Sequence, residues 1–359
     1  MEGARMTRIL LAFDQARAQD ESGTWRRIAM GLHDSGIQQV HLRAARHEGP
    51  APAALLEDTA VLTCPMPLPW WRTRTLGDGL ARQIEPYSVD ALLASGDGAV
   101  SALVPVRDRL DIPLLVDVWR ASQLDKVEAI RADLWIARSE ALAEALRKRV
   151  EHGTVVTARA PIVQTPATRL PDKRPSLVVL DPGDRPRLWD ALLDALTTVL
   201  EARPDLECIM ELRNRREHRL WRQLRQRELL SRISVESTAG PLESLVAAAT
   251  MVVAPDPSMP CRTIISTAMA GGAVLLAASA ENDELIRDRD TAVVVDQGTA
   301  TQWTEAMQMV LEDPQKRHDW SRHAIAAVSA ACQPESTLAA WVTAVVSATA
   351  PSSYPIGST

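Results

Sequence analysis

Residues 254–277 read APDPSMPCRTIISTAMAGGAVLLA, and this stretch decides the fold. The apolar run Met251–Ala254 predicts a strand that ends where the quoted stretch begins. A proline-rich loop follows, and the spacing of the apolar residues predicts a helix from about Arg262 to Ala270. Two glycines end that helix, and the run Val274–Ala277 predicts a second buried strand. A strand, a loop, a helix and another strand in this order indicate a parallel sheet covered by helices.

The same alternation of short apolar runs and amphipathic stretches extends along the chain in both directions. It is interrupted near residues 166–175, where prolines are frequent and periodicity is lost, which predicts a linker. We therefore expect an α/β protein with two doubly wound Rossmann-like domains facing each other across a cleft. The first spans residues 1–165, the second spans residues 176–335, and residues 336–359 form a C-terminal helix and tail. The predicted strands are Arg8–Phe13, Gln39–Leu42, Val61–Cys64, Ala91–Ala94, Leu114–Val118, Leu134–Ala137 and Val155–Ala158 in the first domain, and Leu177–Leu180, Glu207–Met210, Ile233–Val235, Met251–Ala254, Val274–Ala277 and Ala292–Val295 in the second.

The composition argues against several classes of function. The 359 residues are 46% hydrophobic and 24% charged, which leaves enough apolar material for two cores. The formal net charge of −6 provides no global basic field, so nucleic acid is not an expected partner. Four cysteines lie far apart without a CxxC pair and seven histidines are dispersed, so we expect no metal site.

The sequence also bears on membrane association. No apolar run approaches the ~18 residues that a transmembrane helix needs, so we expect a cytoplasmic protein without a transmembrane segment. Trp70 and Trp71 leave peripheral contact with the inner membrane open, although a loop packed into its own domain is the simpler interpretation.

Ligands of open α/β sheets bind at the carboxyl ends of the strands, so the turns after the strands are the candidate binding elements. After the first strand, Gly23 lies at the start of a helix that contains Arg26, and this arrangement can receive an anion. In the first turn of the second domain, Arg187 is a cation near a predicted helix start. In the stretch quoted first, the N–H groups at the helix start form an anion seat beside Arg262 and Thr263. For each turn the alternative is an ordinary capped helix with solvated charges.

Residues 255–295 carry a resemblance to a known family. They read PDPSMPCRTIISTAMAGGAVLLAASAENDELIRDRDTAVVV, which resembles the donor-binding domain of the GT-B retaining glycosyltransferases. The opening RILLAFDQARAQDESGTWRRIAMGL, residues 8–32, weakly resembles the first strand and helix of that family. The residues in register with the family's donor-domain pattern are Ser258, Ala268, Met269, Ala270, Gly272 and Glu284.

The resemblance implies the GT-B architecture and a specific activity. The implied enzyme transfers a hexose from a nucleotide sugar to a glycan or glycoconjugate acceptor with retention of configuration. The nucleotide sugar is then the donor substrate, and neither a cofactor nor a metal is implied. The residues expected to bind the nucleotide and substrate are Gly23, Arg26, Arg187, Ser258, Arg262, Thr263, Thr267 and Glu284.

The chain departs from the family pattern at its paired acids. The motif Glu-x7-Glu falls on Met259 and Thr267. The resemblance assigns the first acid to the donor sugar and the second to the ribose hydroxyls. Met259 offers no acceptor of comparable strength, and the hydroxyl of Thr267 offers a weaker one.

The phosphate clamp and the first-domain histidine of the family also differ here. Asp181 and Pro182 replace the glycine and arginine of the clamp, and Arg187 replaces its lysine. A carboxylate at that point repels a diphosphate. The histidine is absent, and its neighbourhood holds Asp117 and Trp119, of which Asp117 is the candidate catalytic residue.

Three hypotheses follow. The first is a divergent but active glycosyltransferase, whose partners are a nucleotide sugar and a glycan acceptor. The second is an inactive pseudo-glycosyltransferase that serves as a binding or scaffolding subunit, with an active paralogue as its protein partner. The third is another enzyme of two Rossmann-like domains, such as a sugar-nucleotide epimerase. The packing pattern of the family is preserved, whereas several of its site residues are replaced. The fold predicted for this chain therefore does not by itself predict its function.

Overall fold

The computed structural model describes residues 6–14, 17, 21–44, 59–66, 73–163, 174–181, 186–212, 217–236, 239–258, 262–281, 283–296 and 298–350. Outside this part of the chain lie Trp70, Trp71, residues 166–173 of the predicted linker, Pro182, Met259 and the tail from residue 351.

A seven-stranded parallel sheet forms the centre of the first lobe, which spans residues 6–163. The central strands are buried on both faces, because helices cover both sides of the sheet. Its strands are β1 (Arg8–Phe13), β2 (Gln38–Ala44), β3 (Val61–Cys64), β4 (Ala91–Ser95), β5 (Leu114–Val118), β6 (Leu134–Ala137) and β7 (Thr154–Thr157).

Amphipathic helices connect these strands. Trp25, Ile28 and Leu32 recur at helical spacing and pack against one face of the first sheet. Between β5 and β6 the connection is a 3-10 segment, Ala121–Ala129, rather than an α-helix. The helices are α1 (Ser22–Asp34), α2 (Thr73–Ile84), α3 (Asp97–Leu110) and α4 (Glu140–Arg147).

A second parallel sheet of six strands forms the second lobe, which spans residues 174–331. Its strands are β8 (Ser176–Val179), β9 (Glu207–Glu211), β10 (Ile233–Glu236), β11 (Met251–Ala254), β12 (Val274–Ala277) and β13 (Ala292–Val294). Its helices are α5 (Pro186–Ala202), α6 (Glu217–Gln226), α7 (Ala239–Ala248), α8 (Thr263–Ala270), α9 (Ala300–Glu312) and α10 (Pro314–Ala331).

The strand orders fix where each sheet can bind a ligand. The first sheet has the order β3-β2-β1-β4-β5-β6-β7 and the second has the order β10-β9-β8-β11-β12-β13. In each sheet the direction of winding reverses at one point, between β1 and β4 and between β8 and β11. The crevice at such a switch point is the usual ligand site of this class of fold.

The two glycines after α8 have different tasks. A Cβ at Gly271 would lie 2.2 Å from the carbonyl oxygen of Ala247, so the residue allows α7 and α8 to pack closely. Gly272 adopts a φ of 80°, which glycine accepts without strain. Both positions therefore need glycine for reasons of backbone geometry.

The last helix, α11 (Pro334–Thr349), returns to the first lobe. It packs on α1, and Trp341 is completely buried in the core cluster that contains Trp25. The ring centroids of these tryptophans are 5.4 Å apart in an edge-to-face arrangement, and Trp341 Nε1 donates to the carbonyl of Arg159 at 3.0 Å. The C-terminal helix is thus part of the core of the N-terminal lobe. Among the described helices, none has the length and apolar content needed to cross a lipid bilayer.

The structure confirms the predicted α/β class with two doubly wound sheets. All thirteen predicted strands are present, with ends that differ by at most two residues. One helix boundary is corrected: α8 begins at Thr263, because Arg262 has an extended backbone (φ −66°, ψ 133°) and occupies the N-cap position.

Substitution of Trp341 by alanine tests whether α11 stabilises the first lobe. We expect Trp341→Ala to lower the free energy of unfolding by about 3–5 kcal/mol, because it removes a fully buried indole and leaves a cavity. Val346→Ala is the matched control on the same helix, where the side chain is half exposed, and should change stability by less than about 0.5 kcal/mol. Urea denaturation measures both. Equal effects of the two substitutions would contradict the packing of α11.

Candidate functional site

The candidate site lies where the carboxyl ends of the two sheets meet. Glu21 of the first lobe accepts a hydrogen bond from the backbone of Thr263 in the second lobe. In the opposite direction, Glu284 of the second lobe accepts one from the backbone of Glu140 in the first. Segments at the carboxyl edges of the two sheets therefore touch each other at two places.

Asp117 lies at the centre of a buried ion-pair network in the first lobe. Its Oδ1 lies 2.5 Å from Nε of Arg138, and its Oδ2 lies 3.1 Å from Nη2 of both Arg138 and Arg17. The hydroxyl of Ser95 donates to Oδ2 at 2.6 Å, and Arg17 Nε donates to that hydroxyl at 3.0 Å. All four residues are buried. One buried carboxylate thus pairs with two buried arginines, and Glu21 is a second partner of Arg17.

This network does not favour the predicted catalytic role of Asp117. A general base or nucleophile must reach the substrate within hydrogen-bond distance. Asp117 has no exposed surface, and both of its carboxylate oxygens are engaged by its own arginines. The neighbouring Trp119, the other residue expected near this point, packs its ring against the guanidinium groups of Arg17 and Arg120 at 4.2 and 4.9 Å. The geometry is that of a structural centre.

Asp14 occupies the first switch point. Its carboxylate accepts hydrogen bonds from the backbone N–H groups of Arg17 at 2.9 Å and Gly98 at 3.1 Å. Gly98 lies in the first turn of α3, so this helix start already holds an anion. Gly96 makes the approach feasible, because its φ is 94° and a Cβ there would lie 2.2 Å from Asp14 Oδ2.

Glu21 lies at the end of the connection between β1 and α1, and its side chain reaches the switch point of the second sheet. Its Oε1 accepts a hydrogen bond of 3.1 Å from the backbone N–H of Thr263, the first residue of α8. Its Oε2 lies 2.9 Å from Nη2 of Arg17. The first N–H groups of a helix have no partner within the helix and attract anions. At the helix start where the sequence predicted an anion, a carboxylate of the chain itself is bound.

The charge state of Glu21 follows from its neighbours. Burial by itself would raise the pKa of the carboxyl group, but the attraction of Arg17 and Arg138 and the hydrogen bonds from Arg17 and Thr263 outweigh burial. The pKa falls to about 2. Glu21 is therefore an anion at neutral pH, as a phosphate at this position would be.

Glu284 forms the reciprocal contact. Its carboxylate oxygens accept hydrogen bonds from the backbone N–H groups of Glu140 and Ala141, both at 3.3 Å, at the start of α4. The buried Arg159 pairs with Glu284 and, at 3.0 Å, with Asp283. Glu284 was expected to bind the nucleotide, and in this structure its carboxylate holds the first lobe against the second.

Arg262 does not face an open anion seat. Its side chain is buried and forms two contacts with Glu211, at 2.9 Å (Nη2 to Oε1) and 3.2 Å (Nη1 to Oε2). Glu211 also accepts a hydrogen bond of 2.9 Å from the backbone of Asp181. The carboxyl edge of the second sheet thus carries the buried acids Asp181, Glu211 and Asp256. Among the described residues, no group of histidine, cysteine and acidic side chains is arranged to hold a metal ion.

Two predicted hydroxyl ligands are engaged locally. Ser258 Oγ donates to Asp256 Oδ1 at 2.8 Å, and Thr267 Oγ1 donates to the carbonyl of Thr263 at 3.0 Å, one turn earlier in α8. Both residues are half-buried beside the cleft. The hydroxyl of Thr263, by contrast, is buried and has no hydrogen-bond partner among the described residues.

The remaining predicted ligands lie apart from one another. Gly23 is in the first turn of α1, and a Cβ there would lie 3.2 Å from Oε1 of Glu243 in α7. Arg26 is exposed on α1. Arg187 lies in the first turn of α5, and its side chain is outside the described part of the chain. The binding roles assigned to these residues stay predictions.

Sequence reasoning missed the groups that dominate this site, which are Arg17, Glu21, Arg138 and Glu211. Arg17 and Glu21 are spaced by four residues, a spacing typical of helical ion pairs that could have drawn attention to them. Arg138 and Glu211 each stand at the end of an apolar strand, where a charge must be paired if it is buried. Their partners come from distant segments, and no local pattern identifies those partners.

Solved structures share this architecture over nearly the whole chain. A glycosyltransferase from Rickettsia africae has a TM-score of 0.73 at 13% identity, covering 97% of this chain and all of its own. HepE from Anabaena in complex with UDP and glucose has a TM-score of 0.73 at 16% identity, covering 94% of this chain and 99% of its own. Sucrose-phosphate synthase from Thermosynechococcus elongatus has a TM-score of 0.72 at 14% identity, covering 93% and 96%.

These likenesses establish the fold. The chain has the GT-B fold, with two Rossmann-like lobes, as expected from its sequence. The sequence matches no protein-family model and no curated protein. The site must therefore be interpreted from its own residues.

Neutralising Asp117 tests the buried network. We expect Asp117→Asn to lower the free energy of unfolding by about 3–5 kcal/mol, because it removes the carboxylate that pairs with both buried arginines and leaves Glu21 as the remaining counter-charge. Asp125→Asn is the matched control, since Asp125 is largely exposed and pairs with Arg149 on the surface. That change should stay below about 1 kcal/mol. Denaturant titration measures both variants, and a loss for Asp117→Asn as small as that of the control would refute the structural role.

The lowered pKa of Glu21 predicts a pH dependence. A carboxyl whose pKa is about 2 in the folded protein and 4.5 when unfolded stabilises the fold above pH 4.5, and this stabilisation is lost as the pH falls towards 2. We expect the stability difference between the wild type and Glu21→Gln to shrink over that interval by up to about 3 kcal/mol. Urea denaturation at several pH values between 2 and 7 measures it. A difference that does not change with pH would show that Glu21 is not held as a buried anion.

Proposed function

We propose that this chain is a GT-B-fold protein that does not transfer sugar and serves as a binding or scaffolding subunit, with an active paralogue as the expected partner. The observation that carries the proposal is the carboxylate of Glu21 on the amide of Thr263, with an N···O distance of 3.1 Å. That amide opens the helix on which a donor phosphate was expected from the sequence. A helix start that already holds one anion does not accept a second at the same place.

The cost of displacing Glu21 supports the proposal. An incoming diphosphate would have to take the place of Glu21 at Thr263 and separate Glu21 from Arg17, its partner at 2.9 Å. Both side chains are buried. Breaking a buried ion pair costs several kcal/mol, because the freed charges lose a partner without regaining water.

The ion pair between Arg262 and Glu211 in the second lobe adds to this barrier. Asp181, Glu211 and Asp256 are buried at the carboxyl edge of its sheet, and Arg262 is already bound to Glu211. Transfer from a nucleotide sugar needs cations or dipoles that stabilise the leaving diphosphate. Because Arg262 is paired with Glu211, its guanidinium is already engaged before any diphosphate arrives.

An active hexosyltransferase that retains configuration is the second candidate. Its support is the likeness to structures that contain UDP, UDP-glucose or glucose, such as HepE from Anabaena. In an enzyme of this kind Glu21 would leave the helix start when the donor binds, and a glycan acceptor would enter from the first lobe. Nucleotide binding therefore separates the two candidates.

Calorimetric titration with UDP-, GDP-, ADP- and dTDP-sugars tests the proposal. We expect no saturable heat and no release of free sugar or nucleotide from the wild-type chain, because Glu21 holds the phosphate seat. HepE from Anabaena, which binds UDP-glucose in its structure, is the positive control. Saturable binding accompanied by donor turnover in the wild type would refute the scaffold proposal and support the transferase.

A further inference from the structure

A cavity of about 470 Å³ lies in the first lobe, on the face of the sheet covered by α3 and the 3-10 segment Ala121–Ala129. This volume falls within the roughly 300–1,000 Å³ of typical small-molecule sites. A 3-10 helix is narrower than an α-helix, so it covers the face of β5 less completely than the α-helix usual in such a connection. The cavity is separate from the contacts between the lobes.

The interior of the cavity is apolar. Val116 and Val118 of β5 and Trp135 of β6 form its floor, and all three are buried. The indole N–H of Trp135 donates to the carbonyl of His152 at 3.3 Å, so its one polar atom is already engaged. Val100 and Val104 of α3 form a wall. These groups suit a hydrocarbon chain, which binds through the area it removes from water.

The wall formed by α3 is fixed from its other side. A Cβ at Gly77 in α2 would lie 2.6 Å from Cβ of Pro105 in α3, so these helices pack in close contact there. Because α3 is held at Pro105, which also lines the cavity, the space is built into the packing of the lobe.

Two cations and one carboxylate meet at the mouth of the cavity. Asp97 Oδ2 lies 2.5 Å from Nζ of Lys126 and 3.5 Å from Nη2 of Arg120. Asp97 and Lys126 line the cavity, and the side chain of Lys126 is 59% exposed. Two cations lie beside one carboxylate. An anionic head group is therefore attracted to this point electrostatically, whereas a cationic one is not.

We propose that this cavity binds an alkyl chain with an anionic head group, the chain lying against Val116, Val118 and Trp135 and the head lying beside Lys126. A free fatty acid and the acyl chain of an anionic lipid share this chemistry. The proposal does not depend on the function proposed above, since no residue of the cavity takes part in the Glu21 contact.

Titration of the full chain with decanoate below its micelle-forming concentration tests the proposal. We expect saturable binding, roughly fourfold weaker for each methylene removed from the chain. Decyltrimethylammonium, with the same chain and the opposite charge, should bind at least tenfold more weakly. Vesicles containing phosphatidylglycerol identify the source of the alkyl chain. Recruitment of the protein to these vesicles indicates a lipid, whereas binding of decanoate without recruitment indicates a free fatty acid. Both results support the cavity.

Two variants connect binding to this cavity. Val104→Trp fills the space from a half-buried wall position, and we expect it to abolish decanoate binding while far-UV circular dichroism stays unchanged. Lys126→Glu should weaken the binding of decanoate at least tenfold and strengthen the binding of decyltrimethylammonium. Lys148→Glu, an exposed lysine outside the cavity, is the matched charge control and should leave both affinities unchanged. Absence of decanoate binding by the wild type, or equal binding by folded Val104→Trp, would overturn the proposal.

Discussion

The ion pair between Arg17 and Glu21 is the constraint on which the site depends. A guanidinium and a carboxylate removed from water are tolerated only when both are paired and hydrogen-bonded. Arg17 pairs with Asp117 and with Glu21, both of the first lobe. Glu21 in turn accepts a hydrogen bond from the amide of Thr263 in the second lobe. The network that pairs the buried charges of one lobe therefore also positions that lobe against the other. Trp341 of α11 packs on this network, with its ring centroid 4.7 Å from the guanidinium carbon of Arg138.

Three helix starts at the cleft carry carboxylates of the chain itself. The carboxylate of Asp14 accepts a hydrogen bond from the first turn of α3, that of Glu21 from the first turn of α8, and that of Glu284 from the first turn of α4. A helix start is an anion site because its N–H groups are unpaired and its dipole is positive there. Enzymes of this architecture can use such sites for substrate phosphates, whereas this chain fills them with its own acids. In this chain the fold by itself therefore does not imply a diphosphate site.

The strands and the two-sheet architecture could be predicted because they follow from local periodicity, as the runs Leu114–Val118 and Met251–Ala254 illustrate. The helix start near Arg262 could be located to within one residue for the same reason. The residue that binds this helix start could not be predicted. Glu21 and Thr263 are separated by 242 positions, and only the folded topology brings them together. The ion pair of Arg262 could not be predicted either, because its buried partner, Glu211, ends a strand of another segment. Pairings of this kind depend on tertiary distance, which a single sequence does not record.

A crystal structure of the full chain grown with millimolar UDP would test the central claim most directly, because it shows which anion occupies the amide of Thr263. The account predicts electron density for the Glu21 carboxylate within hydrogen-bond distance of that amide, and no nucleotide between the lobes. A UDP phosphate bound to the Thr263 amide, with Glu21 displaced and Arg17 turned towards the nucleotide, would contradict it.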